Sequence, residues 1–414
     1  MVLLLAFALT LTAAVLLSAL AHRSVLSTAV LFLLVGVVIG DKSLGVLHLD
    51  PTDTIVGELA KLALFSVLFT DGMRAPLHRL AHGWRLPGRA LGIGMPLTII
   101  FTALAGRTLA DLSWTQAWLL AAVLSPTDPV FAAAIVGREG VPARLRHMLN
   151  VESGVNDGLA LPIVIVLLSV MEPGATAGIQ LVGELAAGAA IGVVIPFVVL
   201  RLARMRVFGV ATRYEPLTAF AIGLVILSVA ELAGFNLFLA AFTGGVTVAT
   251  VDPQACSAFG SFGELLTELL KLAAVLVFGA LLSLEFLSTI PIGGYVFAVL
   301  VLFAIRPTAI ATALVGTSLD RRERSAAAWF GPRGFASVTY GLLVLSQDVP
   351  GAATIFHLTA LVVAASIVVH STSDVTVARA FRRRDAKIDQ PPREEQPTLP
   401  IREHDGRVST RARS

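Results

Sequence analysis

Charge is scarce in this sequence. Only 14% of its 414 residues are Asp, Glu, Lys or Arg, where a soluble domain carries about 25%. With 56% hydrophobic residues and a mean hydropathy of +0.83, the composition is that of an integral membrane protein without room for a large soluble domain. The single cysteine, Cys256, excludes an internal disulfide and argues against a thiolate metal site. There is no phosphate-binding glycine loop, no dinucleotide fingerprint and no Ser/His/Asp set, so nothing points to nucleotide or hydrolytic chemistry. The net charge of +3 says little alone; in a membrane protein the placement of Lys and Arg matters.

What is present is a series of apolar runs. Thirteen are of the roughly 17–25 residues needed to cross a bilayer core. They cover residues 2–20, 24–40, 54–72, 87–107, 114–136, 148–170, 178–200, 214–232, 234–251, 259–283, 292–315, 325–346 and 352–374. The least distinct are the division between the eighth and ninth, at Ala233-Gly234, and the tenth, which opens on Glu264 and Glu268. Residues 1–20 have no charged start and read as a span rather than a cleaved signal. With the N-terminus outside, one side collects Arg23; Arg74, Arg79, Arg85 and Arg89; Arg138, Arg144 and Arg146; Arg201, Arg204, Arg206 and Arg213; and Arg321, Arg322 and Arg324. The other side holds Lys42, Arg107 and short or acidic connections such as Asp50-Pro51-Thr52-Asp53. This is the positive-inside signature, and it places the C-terminus in the cytoplasm of a cell inner (plasma) membrane protein. Residues 1–376 form one transmembrane unit, and 377–414 read as a short disordered cytoplasmic tail. The cytoplasmic arginines need no nucleic acid to explain them.

Two spans are interrupted. Pro126 and Pro129 break the fifth, and Gly331-Pro332-Arg333-Gly334 breaks the twelfth. Two six-span units separated by one span have opposite orientation, and matched interruptions in inverted halves point to a transport site near the midplane.

The chemistry concentrates between residues 124 and 162. Ser125-Pro126-Thr127-Asp128-Pro129 removes backbone donors inside a span, and the freed groups must find partners because lipid offers none. The resulting carbonyl end can ligate a cation, and Asp128 can offset the amide end of a half-helix. One span later, Glu152 and Asn156 share a helical face, with Ser153 and Asp157 on the adjoining stripe. Acids at membrane depth cost about 2.5–3.5 kcal/mol each on insertion scales, so they mark function. Oxygen ligands without a His/Cys set suit a hard monovalent cation. Arg306 and Arg333 lie in the eleventh span and the second break; we expect Arg306 to pair with Glu152 and Arg333 to serve the crossing of the broken helices.

Other features read as structural. Gly188-xxx-Gly192 and Gly174-xxx-Gly178 are packing spacings, with dimerisation as the lesser reading. Glu264, Glu268 and Lys271 share a face, read as an interfacial ion-pair stripe, as are Glu58 and Lys61. Gly154 and Gly158 permit a neighbouring backbone to approach. His147 is expected in a solvated loop.

Taken in register, Ser125-Pro126-Thr127-Asp128-Pro129, Val151-Glu152-Ser153-Gly154-Val155-Asn156-Asp157-Gly158 and Gly331-Pro332-Arg333-Gly334 resemble the bacterial sodium/proton antiporters of the NhaP type. These belong to the monovalent cation–proton antiporters that include the animal sodium/hydrogen exchangers. The resemblance covers nearly the whole membrane part. It implies an all-α fold of about thirteen helices, inverted six-helix repeats, two crossing broken helices, and a homodimer with a dimerisation unit and a core. It also implies that Asp157 carries cation and proton in turn, that Asp128 and Thr127 help coordinate the ion, and that Ser153 and Glu152 are the polar residues preceding the carrier pair. Asn156 stands where electrogenic relatives carry a second Asp, so one-for-one electroneutral exchange is implied. Arg306 and Arg333 match intramembrane arginines of the family. The short tail departs from relatives with a large regulatory domain.

Both lines of reasoning lead to competition at one carboxylate. Burial disfavours its charged form and a bound cation favours it, so it holds a proton or a cation, not both. No cofactor is required, because the opposing gradient drives exchange; the only partners are the ions, lipid and a second copy of the chain. The alternatives are a K+/H+ antiporter of the same fold, a cation-coupled organic-anion symporter using Arg306 and Arg333, an intramembrane protease using Asp128 and Asp157, and a channel.

Overall fold

Caps and prolines decide where the helices begin and end. The computed structural model describes residues 1–21, 28–41, 43–50, 52–75, 84–128, 141–171, 178–205, 211–282, 288, 290–347 and 349–388. The helices are α1 (Val2–Ala21), α2 (Thr28–Ile39), α3 (Thr54–Arg74), α4 (Arg85–Leu109), α5 (Trp114–Val123), α6 (Ala143–Met171), α7 (Gly178–Ala203), α8 (Glu215–Ala233), α9 (Leu237–Val251), α10 (Pro253–Leu281), α11 (Ile292–Ala313), α12 (Arg321–Trp329), α13 (Phe335–Ser346) and α14 (Ala352–Ile388). No strand occurs among the described residues, and the chain is an all-α polytopic membrane protein. Six described helices, lying within α4, α6, α7, α8, α11 and α14, are long and apolar enough to cross a membrane by that measure alone. α3 and α10 are interrupted by Glu58, Lys61 and Asp71, and by Glu264, Glu268 and Lys271.

The two indistinct boundaries have local causes. α8 stops at Gly234, whose φ of 67° is left-handed and favours glycine. α9 then starts under the Asn236 side chain, which accepts from the Leu239 amide at 2.8 Å. α10 begins at Pro253, ahead of the expected residue 259, because Asp252 caps the amides of Gln254 (3.2 Å) and Ala255 (3.1 Å). α5 opens on a capping box, Ser113 with Gln116, and ends at Val123; residues 125–128 are non-helical. Pro129 and Arg138 lie outside the described residues. α14 continues to Ile388, past the boundary expected at 376, and residues 389–414 lie outside the described residues.

A second pair of irregularities matches the two breaks. α4 contains a π-turn at Ala90–Gly94 and α11 one at Val301–Ile305. Each stands just before a proline, Pro96 or Pro307. A proline cannot donate to residue i−4 and its ring displaces that carbonyl, and a wider turn absorbs the misfit. These two spans are seven apart, as are the broken ones, so the internal repeat rests on two kinds of matched defect.

The helices sort into two groups. α1–α3 pack with α8–α10, and α4–α6 with α11–α14, while α7 lies along α9. α3 and α9 meet α6, and α3 and α10 meet α13, across the divide. Gly188 and Gly192 let α7 approach α9: a methyl group there would strike the carbonyls of Asn236 and Ala240. Gly174 lies outside the described residues. Gly158 faces not a backbone but the Phe242 ring.

Candidate cation site at the crossing of two broken helices

The first break is held from α6. Thr127 receives two bonds: its carbonyl accepts from the Ser153 hydroxyl, and its Oγ1 accepts from Asn156 Nδ2 at 2.7 Å. The second break closes over it. Arg333 Nη1 donates to the carbonyls of Ser125 (2.8 Å) and Pro126 (3.2 Å). The Asp128 amide donates to the Pro332 carbonyl at 3.0 Å, and the Phe335 amide donates to Asp128 Oδ2 at 3.1 Å. Asp128 thus sits at the amide end of α13, where a negative charge offsets the helix dipole. Gly334 is required by this approach, since a methyl there would overlap Asp128.

The carbonyl end of α12 is covered separately. Arg306 Nη2 donates to Glu152 Oε1 at 2.6 Å, and its Nη1 lies 3.5 and 3.4 Å from the carbonyls of Ala327 and Ala328. Arg306 and Glu152, expected to pair, do so with both side chains buried. α14 brackets the same break. Ser366 Oγ accepts from the Arg333 amide (2.7 Å) and lies 3.1 Å from His370 Nδ1, while His370 Nε2 lies 3.3 Å from the Trp329 carbonyl. His370 Nδ1 also lies 2.9 Å from the Ser366 carbonyl, which can only accept, so a neutral His370 protonated on Nδ1 meets that oxygen.

Asp157 is different. It is 6% exposed, its backbone carbonyl accepts from the Tyr340 hydroxyl at 2.8 Å, and its Oδ1 is buried without a hydrogen-bond partner. Asn156 Oδ1, Glu152 Oε2 and Ser337 Oγ are likewise buried and unpartnered. Each such group costs about 1–3 kcal/mol, and folded proteins leave few of them. Among the described residues no three His, Cys, Asp or Glu side chains converge as a chelating group. The crossing offers carboxylate, hydroxyl and amide oxygens.

A sequence profile of the transmembrane sodium/hydrogen exchangers matches residues 8–379. The chain belongs to the sodium/hydrogen exchanger family. That family is one of transporters, not enzymes, which removes the protease reading. Over 389 residues, 92% of this chain, it is 25% identical to the K(+)/H(+) antiporter NhaP2 of Shewanella baltica and spans 66% of that protein's length. It is 24% identical over 84% of its length to the K(+)/H(+) antiporter NhaP of Alkalimonas amylolytica, covering 61% of it. The chain thus spans just under two thirds of these relatives. Among solved structures, the sodium proton antiporter MjNhaP1 of Methanocaldococcus jannaschii superimposes with a TM-score of 0.73 at 18% identity, covering 92% of this chain and 99% of that one. The fold is that of these antiporters.

Two cavities have charged linings. The Glu264, Glu268 and Lys271 face lines, with Thr70 and Arg74, a cavity of about 520 Å³, in which Arg74 Nη2 bonds Glu264 at 3.0 Å. Lys271 reaches across to α13, its ammonium 5.8 Å from the centre of the Phe335 ring. Lys61 bridges Glu58 (2.8 Å) and Glu231 (2.7 Å) on the wall of the other cavity, of about 450 Å³. Asp71, buried on α3 and 3.3 Å from Arg74, escaped the sequence reading. So did Tyr340, Ser366 and His370. His147 is exposed but helical, near the start of α6.

Proposed function

We propose that this chain is a secondary active antiporter exchanging Na+ (or Li+) for H+, with Asp157 as the shared carrier. The observation that carries the reading is the buried, unpartnered Asp157 Oδ1 beside two crossed helix breaks. Thr127 Oγ1, Ser153 Oγ and Asp128 keep lone pairs for a cation, whereas Glu152 is drawn to Arg306 and supports the network with Asn156 and Arg333. A proton or a cation relieves the unpartnered oxygen, and each excludes the other. If only loaded forms cross, the two fluxes are coupled. The group α4–α6 with α11–α14 would move against α1–α3 with α8–α10 to give alternating access. No titrating acid stands at Asn156, which supports electroneutral exchange. The gradients supply the energy and no cofactor is needed. The setting is a plasma membrane, with the N-terminus outside, the C-terminus inside, the region to 376 as the exchanger unit, and two chains forming a homodimer.

A second reading, K+/H+ exchange, is favoured by one observation: the relatives matching 92% and 84% of the chain bear that name. Proteoliposomes with an internal pH dye, challenged with Na+, Li+, K+ and organic anions, test both. Asp157→Asn should insert normally and abolish cation-dependent proton movement, and Asp128→Asn should raise the apparent KM. Exchange at the wild-type rate in the Asp157 variant would refute the carrier assignment.

A further inference from the structure

We propose that the groove between α11 and α12 binds the headgroup of an anionic phospholipid from the cytoplasmic leaflet. The groove encloses about 710 Å³. One end carries Arg321 and Arg324; the floor is apolar, with Phe303, Pro307, Val315 and Trp329. Phe303 and Val315 are 48% and 59% exposed, so the floor opens to the surroundings of the protein. The Trp329 and Phe303 rings lie 5.7 Å apart and line it together.

The sequence of α12 turns its acids away from this face. Asp320 caps the helix by accepting from the Glu323 amide at 2.7 Å. Glu323 is 2% exposed and takes both Nε (2.8 Å) and Nη2 (2.6 Å) of Arg144. Arg321 and Arg324 are left without an ion pair among the described residues. Arg324 Nε is buried and unpartnered, and its Nη2 reaches only the Leu319 carbonyl at 3.4 Å. Arg89 adds a third cation near the mouth, bonding the carbonyls of Ala313 (2.7 Å) and Val315 (2.8 Å) at the end of α11.

A basic end joined to an apolar floor on a membrane protein selects an amphiphile. Guanidinium groups favour phosphate, and basic clusters at the cytoplasmic surface favour anionic lipid. A free phosphate would leave the apolar floor unused, and a zwitterionic headgroup would bring its own ammonium to the arginines. The location gives binding a consequence. α11 carries Arg306, and α12 ends at the break that Arg306 covers. A lipid seated between them braces both elements.

The test uses the full chain in nanodiscs of mixed phosphatidylglycerol and phosphatidylethanolamine, with retained lipid read by native mass spectrometry. Wild type should retain phosphatidylglycerol preferentially. Arg321→Ala with Arg324→Ala should weaken that preference about thirtyfold, and the paired lysine variant should keep most of it. In wild type the preference should also fall as salt rises. No preference in wild type, the same preference in the alanine variant, or one insensitive to salt would overturn the proposal. The inference rests on the membrane reading, not on exchange. Exchange assayed in parallel in proteoliposomes with and without phosphatidylglycerol tests the transport reading separately, and its failure would leave the binding result standing.

Discussion

Removing Arg306 should strand more than one group. Glu152 Oε1 loses its 2.6 Å partner while Oε2 is already unsatisfied, and the Ala327 and Ala328 carbonyls lose the nearby Nη1. Deleting one member of a buried ion pair costs about 3–5 kcal/mol, whereas replacing both with neutral side chains of similar volume is often near neutral. At 1.4 kcal/mol per factor of ten, that is roughly a thousandfold shift in the folding equilibrium for either single variant. The variants are Arg306→Met, Glu152→Met and the double. Unfolding of purified protein in detergent, read as a double-mutant cycle, should show both singles strongly destabilised and the double recovering most of the loss, short of wild type by what the Ala327 and Ala328 carbonyls lose. The cycle also separates two roles for Glu152. As a supporting residue it is dispensable once Arg306 is neutral, so the double variant retains cation-dependent proton movement. Additive losses, or singles within about 1 kcal/mol of wild type, would refute the pairing as the term that matters.

Three further variants have defined outcomes, two at the crossing and one on a loop. Gly331→Ala places a methyl on the Arg306 guanidinium, and thermal unfolding should fall as it does for Arg306→Met; an unchanged midpoint would mean that the break relaxes freely. His370→Phe keeps a ring against Trp329 but removes the chain through Ser366 to Arg333, so the apparent KM should rise about five- to tenfold, with His370→Gln restoring most of it. On the loop before α3, the Thr52 hydroxyl (2.5 Å) and amide (2.9 Å) both donate to Asp50 Oδ1 and hold that carboxyl below its usual range. A depressed folded value means that this contribution is present above the unfolded pKa of about 3.9 and is lost as pH falls through the folded one. Thr52→Ala should move the Asp50 titration, followed by NMR, up toward the ordinary carboxylate range.

Much of the crossing was legible in the sequence because intramembrane polar residues are costly and therefore conspicuous. Two prolines flanking Thr127 and Asp128, and Gly331-Pro332-Arg333-Gly334, cannot continue a helix, whatever surrounds them. Asp71 was hidden by position. It lies at the end of a span, where an acid reads as interfacial, and only the packing of α3 against α9 and α6 buries it. Lys271 and Glu268 read as a surface stripe because periodicity gives a face but not its neighbour. Ser366 and His370 lie in an apolar run that needs no explanation until the amide of Arg333, far away in sequence, is seen to require an acceptor. The start of α10 depended on the Asp252 cap rather than on hydropathy.

The bonds from Arg333 to Ser125 and Pro126, and from the Asp128 amide to Pro332, have a consequence for biogenesis. Synthesis proceeds from the N-terminus, and about two hundred residues separate the two breaks. At 5–20 residues per second, the first break waits roughly 10–40 s for its partner. Its backbone groups cannot be left bare in hydrocarbon during that interval. The nascent chain must therefore keep the fifth span at the translocon, in water or against other protein until the twelfth arrives. Truncations between α6 and α12 should be handled by quality-control proteases as unfinished membrane proteins rather than accumulate as stable fragments.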